Sequence, residues 1–327
     1  MSNATANNLS KSKLKLTMDG VQNLAIFAIF VVICIVGFAL EPELFPSKNN
    51  IVNILVSNSS VMIAAPTMCF VLLSGNLDMS PNGVGAMAGV LFAIFARAGM
   101  PVGASAITSI LIGAACGFLC GFIISKLELP SFIISLAFNY ITLGVALIGA
   151  GGAIISAGLP GNIDDLSQTV SGIPLPVVYA IIIVVAFLII QSKTVFAREV
   201  TAIGANSSAA KLSGISLVKN VSAVFALNAI FASFAGVLVT SRFSVADSGM
   251  LPGFETDCII ACVLGGTDIN GGRGTVFGTL IGALIVGVLT NIMNMLGLVS
   301  YTQNIVKGLV LIGAILLNDA IRTKVKV

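Results

Sequence analysis

The residues best suited to chemistry in this sequence are its six cysteines, because histidine is absent altogether. Two cysteine pairs have a spacing of four residues, which on a helix would direct both thiols of a pair to one face. A metal site needs further ligands, and neither pair has a third polar ligand nearby or a C-x-x-C motif. We therefore interpret all six as small buried apolar residues: Cys34, Cys69, Cys116, Cys120, Cys258 and Cys262.

Catalytic and nucleotide-binding patterns are missing as well. No nucleophile stands beside a base, and no pair of carboxylates has catalytic spacing. The glycine-rich segment 265–274 follows no soluble strand, and no G-x-x-x-x-G-K-[ST] motif occurs anywhere in the chain. We expect no catalytic residue, no cofactor, no metal and no nucleic acid partner.

Neutral amides are the polar residues that recur within the apolar stretches. In a membrane such side chains either join helices by hydrogen bonds or line a polar, uncharged pathway, and the residues alone favour neither role. Lys307 is the one clear ionisable residue inside a predicted span. Its ammonium group either extends to the membrane surface or pairs with an acid, or else Lys307 takes part in transport. The candidate pathway residues are Asn58, Asn139, Asn228, Asn291, Asn294 and Gln303.

The composition shows which elements must position these residues. Of the 327 residues, 57% are hydrophobic and 9% charged, and the mean hydropathy is +1.08. A soluble domain has about 45–50% apolar and about 25% charged residues. Long apolar stretches without period-2 alternation favour spanning helices over a barrel. The predicted class is an all-α polytopic membrane protein.

Ten apolar stretches are bounded by charged residues, Pro, Gly or Asn. The eighth is too short to cross a bilayer, whose apolar core requires about 20 helical residues, so we expect half of a broken or steeply tilted helix there. The predicted spans are 21–40, 51–73, 82–96, 102–125, 131–150, 175–191, 221–240, 257–266, 275–296 and 301–317.

Basic residues orient these spans. With the amino terminus in the cytosol, only Lys48, Arg97 and Arg242 lie on the opposite side, which satisfies the positive-inside rule. Both termini are then cytosolic. The predicted parts are a tail at 1–20, a transmembrane domain at 21–318 with a cytosolic loop at 192–220, and a tail at 319–327. Twelve basic residues lie on the cytosolic side: Lys11, Lys13, Lys15, Lys126, Lys193, Arg198, Lys211, Lys219, Arg273, Arg322, Lys324 and Lys326.

Small residues spaced by four predict close helix–helix contacts, because they let neighbouring backbones approach where lipid removes the hydrophobic drive for association. We interpret all of these ladders as packing surfaces. They are Gly113, Gly117 and Gly121; Gly274, Gly278 and Gly282; and Gly85 and Gly89.

The loop at 192–220 contains a short helical pattern. Asn206 suits an N-cap, Ala209, Ala210 and Leu212 favour helix, and Gly214 suits the position just after its end. The helix is either an ordinary connector or a lever gripped by a soluble partner, and the residues alone leave both open.

Three blocks of sequence resemble the ribose/xylose/galactoside branch of ATP-binding-cassette (ABC) importer permeases. Block 73–80, LSGNLDMS, is similar to the family's SGxDLS segment, and block 204–215 to its G-x-N-x-x-A-A-x-x-S-G-I segment. The third block, 264–282, combines LGGT, GGRG and GTLIG. Asn76 is an extra residue in the first block, and Pro81-Asn82-Gly83 replaces the usual Val-Gly-Ser.

The resemblance implies a permease subunit of the bacterial inner membrane that moves a small sugar or sugar-like solute into the cytoplasm. It also implies cassette ATPase subunits, a periplasmic solute-binding protein and a second permease subunit, identical or not. The second block would be the helix that couples to the ATPase, comprising Gly204, Asn206, Ala209, Ala210, Leu212, Ser213 and Gly214. The alternatives are an ion-coupled secondary transporter of a neutral polar solute, which predicts intramembrane acids or histidines that the spans lack, and a membrane-embedded enzyme.

Overall fold

The computed structural model describes residues 18–325 of the chain and the side chains of residues 26–316. The predicted tails lie partly outside these residues, at 1–17 and 326–327. The described chain forms twelve α-helices, one 3-10 turn and one two-stranded hairpin, which confirms the all-α class.

The helices follow one another with short connections, except between the fifth and the sixth. That connection contains the 3-10 turn at Ile163–Leu166 and the antiparallel strands β1 (Thr169–Val170) and β2 (Ile173–Pro174). The helices are α1 (Met18–Leu40), α2 (Lys48–Leu73), α3 (Pro81–Arg97), α4 (Val102–Leu127), α5 (Ser131–Gly149), α6 (Leu175–Lys193), α7 (Val195–Ala205), α8 (Ser207–Leu212), α9 (Leu217–Phe243), α10 (Phe254–Leu264), α11 (Val276–Met295) and α12 (Ser300–Val325).

Each of the ten predicted spans corresponds to one helix. Among the described residues, α2, α4, α5, α6, α9 and α11 are long and apolar enough to cross a membrane. Helix α10 has 11 residues, and at 1.5 Å per residue it is too short to cross, as predicted. Helix α12 continues beyond the predicted end at 317, since no Gly or Pro follows Gly313 to stop it.

Helix starts follow from local hydrogen bonding. Five helices begin after a Ser, Thr or Asn whose side-chain oxygen accepts a bond from the backbone N–H three residues later, satisfying a donor that the helix leaves free. These caps are Ser47 for α2, Thr194 for α7, Asn206 for α8, Ser216 for α9 and Thr275 for α11.

Helices α2 and α9 form the centre of the bundle. Helix α9 packs against α2, α3 and α4, and α2 also packs against α6, α10 and α11. Around them, α5 packs against α3, α1 against α11, and α12 against α10. Helices α7 and α8 cover the side where α2 ends, and we call this the α8 side.

The glycine ladder of α4 faces α9, as the packing interpretation predicts. A methyl group built at Gly117 would lie 2.6 Å from the carbonyl oxygen of Phe225, and one at Gly121 would lie 2.8 Å from the Phe225 Cβ. A methyl group at Gly113 would meet the side chain of Ser233. Gly117 and Gly121 therefore admit no larger residue unless the backbones of α4 and α9 move apart, whereas at Gly113 the side chain of Ser233 would have to move.

The remaining small-residue sets pack in the same way, with one exception. Gly85 and Gly89 of α3 contact α9 at Ala232 and Gly236, and Gly278 and Gly282 of α11 contact Gly265 and Ala261 at and before the end of α10. The prediction that Gly274 shares the helical ladder of α11 is wrong. Gly274 precedes the cap Thr275 and has a φ of +153°, so it lies outside the helix, and a side chain there would collide with Thr267.

Candidate functional site

A small polar cavity lies between α2, α10 and α11, away from the α8 side. Its volume is about 90 Å³, and amide and hydroxyl groups make up much of its wall. Three of the six predicted pathway residues line it, namely Asn58, Asn291 and Asn294. The other polar residues of the wall are Asn53, Ser57, Asp257 and Thr290.

The amides around this cavity are tied to the bundle by hydrogen bonds. Asn58 donates through Nδ2 to the carbonyl oxygen of Ala283 at 2.8 Å. Asn291 and Asn50 exchange bonds of 2.9 and 3.1 Å, so both amide groups are held in one orientation. Gln303 donates to Oδ1 of Asn294 at 2.8 Å, which places it directly behind the wall. The amides join helices here and also line a cavity.

A larger cavity of about 300 Å³ adjoins the first. Its wall is mostly apolar, and Ser57, Val61 and Asp257 belong to both cavities. The volume is at the lower end of the roughly 300–1,000 Å³ that is typical of small-molecule sites. The other residues of the wall are Val56, Ser59, Ser60, Pro176, Leu238, Val239, Arg242, Phe243, Met250, Leu251, Pro252 and Phe254.

Asp257 forms an ion pair at the junction of the two cavities. Its Oδ2 lies 2.8 Å from Nζ of Lys307, and the two side chains are 18% and 17% exposed. Asp257 belongs to the first turn of α10 and Lys307 to α12, so the pair joins these helices. The structure thus supplies Lys307 with a partner that the sequence leaves unidentified.

The other two predicted pathway residues, Asn139 and Asn228, line neither cavity. Asn139 accepts a bond from the backbone N–H of Gly83 at 2.7 Å and so caps α3. Asn228 donates to the carboxylate of Asp78 at 2.8 Å and accepts from the hydroxyl of Thr67 at 2.9 Å. Both amides position the segment between α2 and α3.

The expectation that intramembrane acids are missing is therefore wrong. Asp78 is 1% exposed and bonds to Asn228 halfway along α9, and Asp257 is paired inside the bundle. Glu255 also lies in the first turn of α10, with its Oε2 buried. The sequence conceals Asp78 because its flanking Ser, Gly and Asn residues are typical of an exposed turn.

The short helix predicted in the loop at 192–220 is present as α8. Asn206 caps it by accepting from the N–H of Ala209 at 2.9 Å. At its end, Gly214 has a φ of +84°, its N–H bonds to Lys211, and the N–H of Ile215 bonds back to Ala210, which is a Schellman motif. The N-cap at Asn206 and the helix end before Gly214 both agree with the prediction from the sequence.

The side chains of α8 divide into an inner and an outer face. Ala210 is 3% exposed and packs into the bundle, so it is not available to a soluble partner. Leu212 is 91% exposed, and Asn206, Ala209, Ser213 and Gly214 are also exposed. Helix α7, which the sequence analysis did not predict, contains Gly204 and holds α8 against the bundle.

Four glycines form a junction beneath α8, where three segments meet backbone to backbone. They are Gly75 after α2, Gly204 in α7, and Gly271 and Gly272 between α10 and α11. The N–H of Gly272 donates to the carbonyl oxygen of Leu73 at 3.0 Å. A methyl group on Gly271 would lie 2.6 Å from Cα of Gly75, and one on Gly204 would meet the Leu73 carbonyl. We call this set the glycine junction.

Comparison with known proteins identifies the family. A family model described as the permease component of the branched-chain amino acid transport system matches residues 50–315. The chain belongs to this family. It is therefore a transport subunit and not an enzyme, and it is a multi-pass protein of the inner membrane. The resemblance to ABC importer permeases is confirmed.

Several curated relatives match almost end to end. A ribose import permease protein of Haemophilus influenzae is 35% identical over 93% of this chain and 95% of its own length. A D-allose transport system permease protein of Escherichia coli is 31% identical over 90% of both chains. An L-arabinose ABC transporter permease protein of Azospirillum brasilense is 32% identical over 84% of this chain and 81% of its own. No solved structure matches the chain.

Proposed function

We propose that this chain is one of two permease subunits of an ABC importer that admits a small neutral sugar or sugar-like solute. The observation that carries the proposal is the pair of adjoining cavities, whose walls combine amides and hydroxyls with apolar surface. Such a wall suits a solute with many hydroxyl groups. Relatives named for ribose, allose and arabinose support the same class.

The proposed orientation puts the α8 side in the cytosol and the cavities toward the periplasm. Tails at 1–20 and 319–327 are then cytosolic, and 21–318 is the transmembrane domain. The distribution of Lys and Arg supports this orientation. A periplasmic solute-binding protein would deliver the solute from the side on which the cavities lie.

Helix α8 is the proposed contact with the cassette ATPase, within a coupling loop at 192–220. A leucine that is 91% exposed next to a capped helix suits an apolar groove on a soluble partner. A short helix held at both ends loses little conformational entropy on docking. The contact surface consists of Leu212 with Ala209 and Ser213, because Ala210 faces inward.

The glycine junction provides a route from α8 into the membrane helices. Gly204 of α7 contacts the end of α2. The backbone of α7 also contacts Gly272, which belongs to the α10–α11 connection. Glu199 of α7 also accepts a bond from Asn220 of α9 at 2.9 Å. A displacement of α7 and α8 would therefore act on α2, α9, α10 and α11 together.

Two variants separate docking from transmission in the complete importer. Leu212→Asp should reduce co-purification of the ATPase about tenfold or more, because a charge replaces the apolar contact. Gly204→Ala should retain the ATPase yet abolish ATP-driven uptake, because its Cβ meets the Leu73 carbonyl. Leu44→Asp, an exposed leucine on the other side, is the control for insertion and should retain the ATPase.

Uptake is measured in vesicles with ribose, allose, arabinose and leucine. ATP-dependent uptake of at least one sugar supports the proposal. Uptake of leucine but of none of the sugars would overturn the solute class. Uptake driven by an ion gradient alone, without any ATPase, would overturn the ABC mechanism.

A further inference from the structure

We infer that Asp257 contacts the transported solute, with its Oδ1 accepting a hydrogen bond from a solute hydroxyl where the two cavities meet. The inference rests on the proposed function, because it assumes a neutral hydroxyl-bearing solute. It adds a specificity-determining residue that the sequence analysis did not include in the pathway.

The geometry of the carboxylate is the first argument. Lys307 occupies Oδ2 at 2.8 Å, and among the described residues no side chain or backbone group donates to Oδ1. Asp257 lines both cavities. A carboxylate oxygen has acceptor capacity for two donors, and Oδ1 is open to the cavities, where a solute hydroxyl can bond to it in place of water. A donor that enters the cavities can supply the missing bond.

The balance of charge is the second argument. A lone aspartate in this position would favour a cation, but the ammonium group of Lys307 cancels its charge at contact distance. Arg242, also in the wall of the larger cavity, is exposed and lies over the ring of Phe243 at 5.3 Å. The ion pair therefore has no net charge of its own, and its carboxylate is a strong acceptor for a neutral hydroxyl.

The surrounding wall is the third argument. Phe254 is buried beside Asp257 and lines the larger cavity, and Ser57 and Ser60 lie across from it on α2. Sugars carry hydroxyl groups at their edges and C–H groups on their faces. A site with one aromatic wall and a few placed polar groups has the general form of a small-molecule site.

The competing interpretation is that the ion pair only fastens α12 to α10. Replacement of both residues of the ion pair distinguishes a structural role from contact with the solute. A buried ion pair can be replaced by apolar residues of similar volume without loss of stability. Asp257→Leu with Lys307→Met keeps the packing and removes the acceptor. Asp257→Asn with Lys307→Gln keeps a weaker acceptor. Asp165→Asn neutralises an exposed carboxylate outside both cavities and is the control.

The experiment compares uptake of a parent sugar with its monodeoxy analogues in vesicles that contain the complete importer and one fixed solute-binding protein. The parent is whichever of ribose, allose and arabinose the wild type transports. We expect the apolar pair to be inserted normally, to transport the parent about tenfold or more slowly, and to lose discrimination against one deoxy analogue. The amide pair should have an uptake rate and a discrimination between those of the apolar pair and those of the wild type.

Two outcomes would overturn the inference. One is an apolar pair with wild-type uptake and wild-type discrimination. The other outcome applies if the apolar pair is not inserted into the membrane. In that case the inference fails if the amide pair discriminates between the parent sugar and every deoxy analogue as the wild type does. Uptake of leucine but of none of the three sugars by the wild type would instead overturn the proposed function, so the two failures are distinguishable.

Discussion

At the scale of single residues, the main energetic question is how the bundle tolerates a buried carboxylate without a cation beside it. Asp78 accepts from the N–H of Ser80 and from Nδ2 of Asn228, both at 2.8 Å. It also precedes the N-terminus of α3, where the helix dipole favours negative charge. Two strong donors and the dipole offset part of the desolvation cost.

We predict that Asn228→Leu destabilises the protein, because it removes one donor from the buried carboxylate and one acceptor from Thr67. A hydrogen bond to a charged group contributes about 1.5–3 kcal/mol, so the midpoint of thermal unfolding in detergent should fall by about 2–4 °C for a chain of this length. Asn304→Leu changes an exposed amide and should leave the midpoint within about 1 °C. Equal midpoints for the two variants would contradict the network.

Residues of this network show the limit of sequence analysis. Asn228 was recognised as a polar residue within a span, yet its partner Asp78 is 150 positions away and looks like part of a turn. Asp257 and Lys307 are 50 positions apart on different helices. Local pattern gives the type of a residue and the element it occupies, but only tertiary packing decides which side chains meet.

At the scale of helices, the contact of α4 with α9 depends on the absence of side chains. Gly117 faces Ala229 and Phe225 of α9. The backbones of α4 and α9 are so close there that no volume remains for a branched residue. Gly144 of α5 has open space where a side chain would lie. Both glycines lie within helices, but another helix packs against Gly117 and none of the described helices packs against Gly144.

We predict that Gly117→Leu reduces folded, membrane-inserted protein several-fold, because the side chain forces α4 away from α9. Gly144→Leu should leave the yield near wild type. Size-exclusion profiles and membrane yield measure the effect. Normal yield of Gly117→Leu with lost transport would show that the glycine lines the pathway instead.

Helix positions were largely predictable because lipid imposes long apolar segments, and the ten spans agree with ten helices. Helix α7 was missed because charged residues, Arg198 and Glu199, interrupt its apolar pattern. The hairpin of β1 and β2 was missed because each strand has only two residues. Elements outside the membrane lack the length constraint that makes the spans readable.

At the scale of the whole molecule, the two sides of the bundle differ in construction. The far side has the long connection from α5 to α6, which is pinned to the segment after α9 by paired backbone bonds between Ile155 and Ala246. The α8 side has the glycine junction and the exposed surface of α8. Under the proposed function, the far side admits the solute and the α8 side receives force from the ATPase.

We predict that both chain ends lie on the α8 side, in the cytosol. Reporter fusions after Val327 and within 162–171 should then give opposite signals, because five crossings separate either terminus from that connection, with α10 and its flanking connections together counted as one crossing. An impermeant thiol reagent applied to intact cells should label an introduced cysteine at Asp165 but not one at Ser208, both of which are exposed. The same reagent should label both after the membrane is opened. Labelling of Ser208→Cys in intact cells would reverse the orientation and remove α8 as the contact for a cytosolic ATPase.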